Sequence, residues 1–269
     1  MNKLRGIHPL FLLYVWIVPN LQAVKIFIEN GNWGNVQTNE IQWVLQSTAR
    51  VFIPYLPNLK EKEISVYPSS HPRIYYEHDP NGHYRINLSA RDRYWCQYAF
   101  QFSHELGHLI CQTKRQDQTN QWFEESLCEA ASLFALRELS KQWTSDPPDP
   151  AWQDYAFEFN IYRTDRINKA EYPENFHLPS WWEKNRLKLS KNANLRKQNL
   201  WIAIKLLYLI EKEPKTAWSA CEWLNHYQSD KIKSFELYLA EWKLACPKKE
   251  QKEFVQKVAN LFAILEFKD

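Results

Sequence analysis

The stretch FSHELGHLI (residues 102–110) decides how the rest of the chain is interpreted. It carries His104, Glu105 and His108 in the spacing H-E-x-x-H, within a segment from residue 92 to about 111 that has no Pro and predicts a helix. Helical positions i and i+4 share a face, so the two imidazoles can bind one Zn²⁺. The pattern alone arises by chance in roughly one or two chains per hundred of this size, so its context matters.

The two residues between the histidines that matter chemically are Glu105 and Gly107. Zinc lowers the pKa of a water molecule that it binds, and Glu105, one step round the same helix edge, can accept the proton. Gly107 costs about 1 kcal/mol of helix propensity relative to Ala. We therefore expect Gly107 to be there because another backbone approaches the helix at that point.

Apolar residues surround the motif and predict that its helix is buried. They are Phe100, Phe102, Leu106, Leu109 and Ile110. Unpaired polar groups are costly in a protein interior, so a buried His-Glu-His face requires partners.

A zinc site also requires a third protein ligand, and the next predicted helix offers acidic candidates. The segment WFEESLCEAASLF (residues 122–134) contains Glu124, Glu125 and Glu129. Glu125 and Glu129 are four residues apart and share a helix face. One of them can bind the metal while the other orients a ligating imidazole.

Together, HELGH and WFEESLCEAASLF resemble the gluzincin group of zinc metallopeptidases, which includes thermolysin-like and aminopeptidase N-like enzymes. The resemblance covers residues 83–135 and implies that Trp122 matches a leading Trp, that Glu125 is the third zinc ligand and that Glu129 supports a ligand from the second shell. This chain departs from the usual pattern in having Glu124 before the ligand and Ser126 after it. It also lacks the Gly- and Met-containing exopeptidase motif, since its one Met is Met1.

The resemblance implies further features of fold and mechanism. The strand HYRINLS (residues 83–89) would line the cleft and pair with an extended peptide substrate. A Tyr or His from the second lobe would stabilise the oxyanion, and the sequence does not select among its candidates. Those candidates are Tyr155, Tyr162, Tyr172 and His177.

The order of predicted elements gives an α+β fold. A strand at residues 24–30, a helix at 38–56, a strand at 63–68 and a hairpin at 73–89 with DPNG at its turn precede the HExxH helix and the Glu helix at 122–143. The segment TSDPPDP (residues 144–150) interrupts the helical pattern, and amphipathic helices follow. We predict a zincin-like lobe with a small mixed sheet at residues 24–143 and a mainly helical lobe at 144–269 that completes the cleft.

Composition excludes several other functions. The net charge is +3 with no basic stripe, which argues against nucleic-acid binding, and five Gly among 269 residues leave no Gly-rich phosphate loop. Thirteen Trp indicate either a core of large side chains, the favoured interpretation, or an aromatic cleft. Residues 1–23 have a basic start and a short apolar run, as in a signal peptide. The chain would then be secreted or periplasmic, tethered to the membrane if uncleaved, and without a stable span once the signal is removed.

Two minor possibilities involve the other metal-binding residue types. Cys221 and Cys246 lie in the same helical region and could form a disulfide in an oxidising compartment. His71, His78 and His83 lie near the predicted hairpin turn and could form a second metal site, although surface histidines near a turn are commoner. No CxxC pair occurs, which argues against a thiolate zinc site.

The function predicted from the sequence is that of a zinc metallopeptidase acting on a peptide or protein. His104, His108 and Glu125 would bind Zn²⁺, and Glu105 would be the general base. Two alternatives stay open: a catalytically inactive zincin-like binding module, and a metal-dependent amide hydrolase acting on a non-protein substrate such as cell wall.

Overall fold

The computed structural model describes residues 24–112, 118–227 and 232–265. The predicted signal peptide at residues 1–23 and half of the polar loop between the two site helices lie outside these ranges. Within them, no helix is both long enough and apolar enough to cross a bilayer.

Four strands form one mixed sheet, as the sequence predicted. They are β1 (Lys25–Ile28), β2 (Glu63–Pro68), β3 (Arg73–Ile74) and β4 (Tyr84–Leu88), in the spatial order β1-β2-β4-β3. β1, β2 and β4 are mutually parallel, and β3 runs antiparallel to β4 at the edge. Buried aliphatic residues on β2 and β4, such as Val66 and Ile86, give these inner strands their core face.

The predicted hairpin is present, with a short first strand and a different turn. The Gly82 N–H donates to the Asp79 carbonyl, and the Asp79 N–H donates to the His83 carbonyl. Only Gly82 in the turn has a positive φ, of 82°, whereas a two-residue Asn-Gly turn requires positive φ at Asn81 as well. Pro80, with its fixed negative φ, sits at the first central position of a turn that ends in a left-handed Gly.

Nine helices occupy most of the rest of the described chain. They are α1 (Thr38–Arg50), α2 (Trp95–Ile110), α3 (Gln121–Ser145), α4 (Ala156–Asn168), α5 (Leu178–Lys191), α6 (Arg196–Lys212), α7 (Pro214–Cys221), α8 (Phe235–Ala245) and α9 (Lys249–Asn260). Short 3₁₀ helices lie at Pro57–Glu61 and Pro150–Tyr155. The α+β class is confirmed.

Two helices differ from the predicted ranges. α1 begins at Thr38 as predicted, directly after Gln37, whose N–H donates to Glu40, but it ends at Arg50 and not at residue 56. α2 begins at Trp95 because Asp92 adopts a left-handed φ of 51° and its carboxylate accepts the Asn35 N–H. That contact ties the chain before α2 to the loop after β1.

α3 is the central helix and packs against α2, α4 and α6. Both ends of the helix are anchored in aromatic clusters: Trp122 and Phe123 contact Phe235 and Phe262, and Trp143 packs against Phe159. The hydrophobic core runs without interruption through both predicted lobes. α2 and α3 are therefore held rigidly against each other, which fixes the site described next.

Candidate metal centre

The structure brings His104, His108 and Glu125 together between α2 and α3. His104 Nε2 lies 3.2 Å from one oxygen of Glu125, and His108 Nε2 lies 3.6 Å from the other. One ligand atom from each of the three lies within 4.8 Å of those of the other two. This convergence follows from the i, i+4 spacing of the histidines on α2 and from the position of Glu125 near the start of α3.

These separations suit a tetrahedral zinc site. Ligand atoms about 2.0–2.1 Å from zinc are about 3.3–3.4 Å from one another in a tetrahedron. The two measured separations, which end at different oxygens of Glu125, are close to that value. Two imidazoles and one carboxylate are also a donor set typical of catalytic zinc, which leaves a position for water or substrate.

His108 is held from behind by a buried carboxylate. Its Nδ1 lies 2.6 Å from Glu124 Oε1, and the Glu124 side chain is 4% exposed. The other Glu124 oxygen accepts from the Asn225 amide at 2.9 Å, and Tyr238 donates its hydroxyl to Asn225 Oδ1 at 2.9 Å. A hydrogen bond at Nδ1 fixes the ring orientation and leaves Nε2 to face the metal position.

Glu129, predicted to support a ligand, lies beside His104 but forms no hydrogen bond with it. Its carboxylate lies 3.9 Å from His104 Nδ1, too far for a hydrogen bond, and accepts from Arg166 at 3.0 Å. The close carboxylate partner of a site imidazole is thus Glu124. In the sequence Glu124 was one of the acidic residues of the next helix, but nothing there distinguished it as the partner of His108. Asn225 and Tyr238 had no signal either, because they lie about 100 residues further along the chain.

Gly107 allows α2 and α3 to approach closely, as predicted. A Cβ at this position would lie 3.1 Å from the Cys128 Cα and 3.0 Å from its Sγ. This contact lies one residue before His108 and sets the distance between the helices that carry the candidate ligands.

Glu105 is anchored by the sheet. The backbone N–H of Ile74, in β3, donates to Glu105 Oε2 at 2.7 Å. Among the described residues, none donates a hydrogen bond to its other oxygen. The carboxylate lines the same cleft as the two histidines, so it is fixed at one oxygen and has the second for another partner.

The prediction that residues 83–89 form the substrate-pairing strand is wrong. β4 lies inside the sheet, with β2 on one side and β3 on the other, so its hydrogen-bonding groups are used by protein strands. β3 is the edge strand, because the hairpin folds it over the outer side of β4. Its outward N–H at Ile74 is the group that binds Glu105.

Burial and neighbouring charges shift the pKa values of His104, His108 and Glu125. Burial opposes a positive charge on His104, but the hydrogen bond that it donates to Glu125 and the charge of Glu105 raise its pKa. Burial likewise opposes charge on His108, and its contacts with Cys128 and Glu124 raise its pKa well above the usual value. Burial favours the neutral form of Glu125, yet the two imidazoles lower its pKa. The surroundings therefore favour positive charge at the centre of the site.

A second group of possible ligands overlaps the first and is chemically less suitable. Glu124, Cys128 and His108 also bring ligand atoms within 4.8 Å of one another. Burial raises the pKa of Cys128 to about 12, so its thiol stays protonated near neutral pH, whereas metals bind the thiolate. Glu124 is also already hydrogen-bonded at both oxygens.

The candidate site opens into a cleft of about 1030 Å³ between the sheet side and the C-terminal helices. β3 and α2 supply one wall, and residues of α4, of α6 and of the loops before α5 and α6 supply the other. Within the described part of the chain no Trp lines it, and the most buried Trp side chains lie in the core. The favoured interpretation of the Trp content agrees with this arrangement.

Of the four oxyanion candidates, Tyr162 alone lines the cleft. Tyr155 accepts the Cys96 N–H at the far end of α2, Tyr172 packs against Phe176 and Trp201, and His177 contacts Ser180. Tyr76, which sequence reasoning missed, also lines the cleft. Burial raises its pKa, with Glu124 adding and His108 opposing. Its place in an irregular part of the hairpin gave no signal in the sequence.

The structure supports neither the second metal site of three histidines nor the disulfide. His71 contacts Ser70, His78 packs on the Tyr84 ring and His83 stacks on Phe27, and the described residues do not bring the three histidines into one group. All five cysteines are free and buried, so the suggested Cys221–Cys246 disulfide is not formed.

Comparisons with models of protein families, with curated proteins and with solved structures found no match for this chain.

Proposed function

We propose that this chain is a zinc-dependent peptidase of gluzincin type, with residues 24–143 as a zincin-like catalytic lobe and residues 144–269 completing the cleft. His104, His108 and Glu125 would hold the metal, and Glu105 would be the general base. The observation that carries the proposal is the convergence of two Nε2 atoms on the two oxygens of one carboxylate, at separations close to those between zinc ligands.

Each residue has a defined part in the proposed reaction. His104, His108 and Glu125 would hold a zinc ion, which would supply a Lewis acid to polarise the scissile carbonyl and lower the pKa of water. Glu105, anchored through Oε2, takes the proton from the attacking water and returns it to the leaving amine. Tyr76 and Tyr162 line the cleft and are the tyrosines from which an oxyanion donor would come.

The Glu105 carboxylate and the cleft beside it also argue for catalysis over a purely structural role. A structural cluster of His and Glu has no need of a carboxylate with one oxygen that accepts no hydrogen bond from the described residues. It also has no need of a cleft of about 1030 Å³ beside it. The Glu105 oxygen suits an attacking water, and the cleft suits a substrate, which could be a peptide or another amide.

The decisive experiment measures metal and turnover separately. Purified wild-type protein should contain about one zinc per chain by elemental analysis, and His104→Ala should lose most of it. Glu105→Gln should keep the zinc and lose cleavage of a peptide library monitored by mass spectrometry. Zinc-free wild-type protein that stays folded and does not take up added zinc would refute the proposal.

The same measurements separate the alternatives. Zinc binding with no cleavage of peptides or of peptidoglycan fragments would favour a binding module. Cleavage of the fragments alone, lost in Glu105→Gln, would favour an amide hydrolase acting on cell wall. Export by residues 1–23 is a separate proposal, tested by N-terminal sequencing of protein recovered outside the cytoplasm.

A further inference from the structure

The cleft next to the candidate metal centre has an unbalanced set of charges. Of the described residues, five with basic and four with acidic side chains line it, and three of the acidic ones belong to the candidate site. Two of the basic residues are neutralised locally: Arg166 pairs with Glu129 at 3.0 Å, and Lys197 pairs with Glu171 at 3.0 Å.

The other three basic residues are Arg73, Lys169 and Arg196. Within the ranges that the structure describes, none of them forms an ion pair with a carboxylate. All three side chains are exposed. A divalent metal at the site would add to the positive charge of this lining.

These three residues lie on both sides of the candidate centre. Arg73 is in β3, next to Ile74, whose N–H anchors Glu105. Arg196 begins α6 on the opposite wall. Lys169 follows α4 on that same wall. A bound chain running past the centre would therefore meet cations on both sides.

We infer that the cleft selects peptides that carry carboxylates close to the cleaved bond, bound by Arg73, Lys169 and Arg196. This inference rests on the proposed peptidase function and adds the substrate class. Arginine can bind a carboxylate through two parallel hydrogen bonds, which Lys cannot do. The carboxylates could be acidic side chains or the free C-terminus of the peptide, and these two sources share the same chemistry.

The test measures binding, so that it does not depend on turnover. Zinc-loaded Glu105→Gln protein is titrated with fluorescent peptides of one length and one neutral core. One peptide has an amidated C-terminus and acidic side chains, a second has a free C-terminus and neutral side chains, and a third has neither. We expect at least one of the first two to bind more tightly than the third, with a preference that weakens as salt is added. The better of the two identifies the source of the carboxylate.

Variants assign the preference to the three cations. Arg196→Gln should weaken binding of the preferred peptide about two- to fivefold, as expected for loss of one exposed charge pair. The triple variant with Arg73→Gln, Lys169→Gln and Arg196→Gln should abolish the preference over the neutral peptide. Lys197→Gln is the matched control, since it removes an adjacent charge that Glu171 already neutralises, and its effect should be smaller.

The outcomes distinguish this inference from the proposed function. Equal binding of all three peptides, or a preference that survives in the triple variant, would overturn the inference even if wild-type protein cleaves peptides. A carboxylate preference that the triple variant loses would support the inference about the cleft even if the wild-type protein cleaves nothing. In that second case it is the proposed hydrolysis that fails.

Discussion

The two histidines of the candidate site are in contrasting surroundings. His108 has a side chain 8% exposed and is bonded to buried Glu124, which Asn225 and Tyr238 support. His104 is 19% exposed, and its nearest second carboxylate, Glu129, is 3.9 Å away. The inner half of the site is thus fixed by buried hydrogen bonds, whereas the outer half faces the cleft. We expect the inner half to determine metal affinity and the outer half to determine what the site acts on.

The sharpest test of this contrast replaces each supporting carboxylate by its amide. Glu124→Gln should reduce zinc affinity about 10- to 100-fold, because the orienting acceptor of His108 loses its charge. Glu129→Gln should reduce it less than about threefold, since Glu129 makes no hydrogen bond to His104. Competition with a chromophoric chelator measures both constants. Equal losses for the two variants would contradict the proposed division of the site.

Gly107→Ala tests whether close packing of α2 and α3 fixes the inner half. The added methyl would press on the Cys128 backbone, and overpacking of this kind costs about 1–3 kcal/mol, offset by about 1 kcal/mol of helix propensity. We expect a net loss in the free energy of unfolding, measured by urea denaturation. The Cys128 Sγ is one of the atoms that the new methyl would meet, and the Cys128 Cα is another. Removing Sγ in the double variant Gly107→Ala with Cys128→Ala should therefore recover only a part of the lost stability. Full stability of Gly107→Ala would show that the helices can separate without cost.

Tyr238→Phe tests the last of the hydrogen bonds that lead from His108 through Glu124 and Asn225. It removes the hydroxyl that donates to Asn225 and should cost about 0.5–1.5 kcal/mol of folding free energy, the net value of one hydrogen bond. Zinc affinity should fall by a smaller factor than in Glu124→Gln, because Asn225 still donates to Glu124. The control is Tyr208→Phe, at a tyrosine 61% exposed, which should change neither quantity.

The smallest expected effect is a pH dependence from the turn of the hairpin. Burial opposes ionisation of Asp79, but the backbone N–H groups of His83 and Asn81 and the Ser65 hydroxyl lower its pKa to about 2, from an ordinary 3.8. A carboxyl with a lowered folded pKa stabilises the fold above its unfolded pKa and loses that contribution as pH falls through the folded value. The stability difference between wild type and Asp79→Asn should therefore shrink between about pH 4 and pH 2. A difference that stays constant over this range would rule out an ionised Asp79 as its cause.

The elements that were predictable from sequence are those with strong local patterns. The DPNG turn produced the hairpin, the Pro-rich segment at residues 144–150 ended α3 at Ser145, and the spacing of His104 and His108 put them on one face. The contact at Gly107 was also predictable, because a Gly inside a helix has a propensity cost that close packing explains. Helix starts were less predictable: Asp92 delays α2 through a hydrogen bond to Asn35, which is distant in sequence.

The sheet order shows why one functional prediction failed. The first strand was recognisable by its alternating pattern and the hairpin strands by the turn between them, but neither signal says which strand lies at the edge. Pairing put β4 inside the sheet and gave the edge to β3, a strand of two residues. The N–H that anchors Glu105 therefore comes from Ile74, outside the strand that the resemblance had indicated.

The sequence by itself determined the two helices, the face that carries the two imidazoles, and the acidic residues one loop later, because helical periodicity is local. Only the tertiary structure decided that Glu124 supports His108, that Asn225 and Tyr238 back Glu124, and that Arg73 and Arg196 face one cleft. These contacts join residues up to about 120 positions apart. They follow from the packing of α3 against its neighbours. That packing depends on all the side chains that fill the core together, so no single segment of the sequence encodes it.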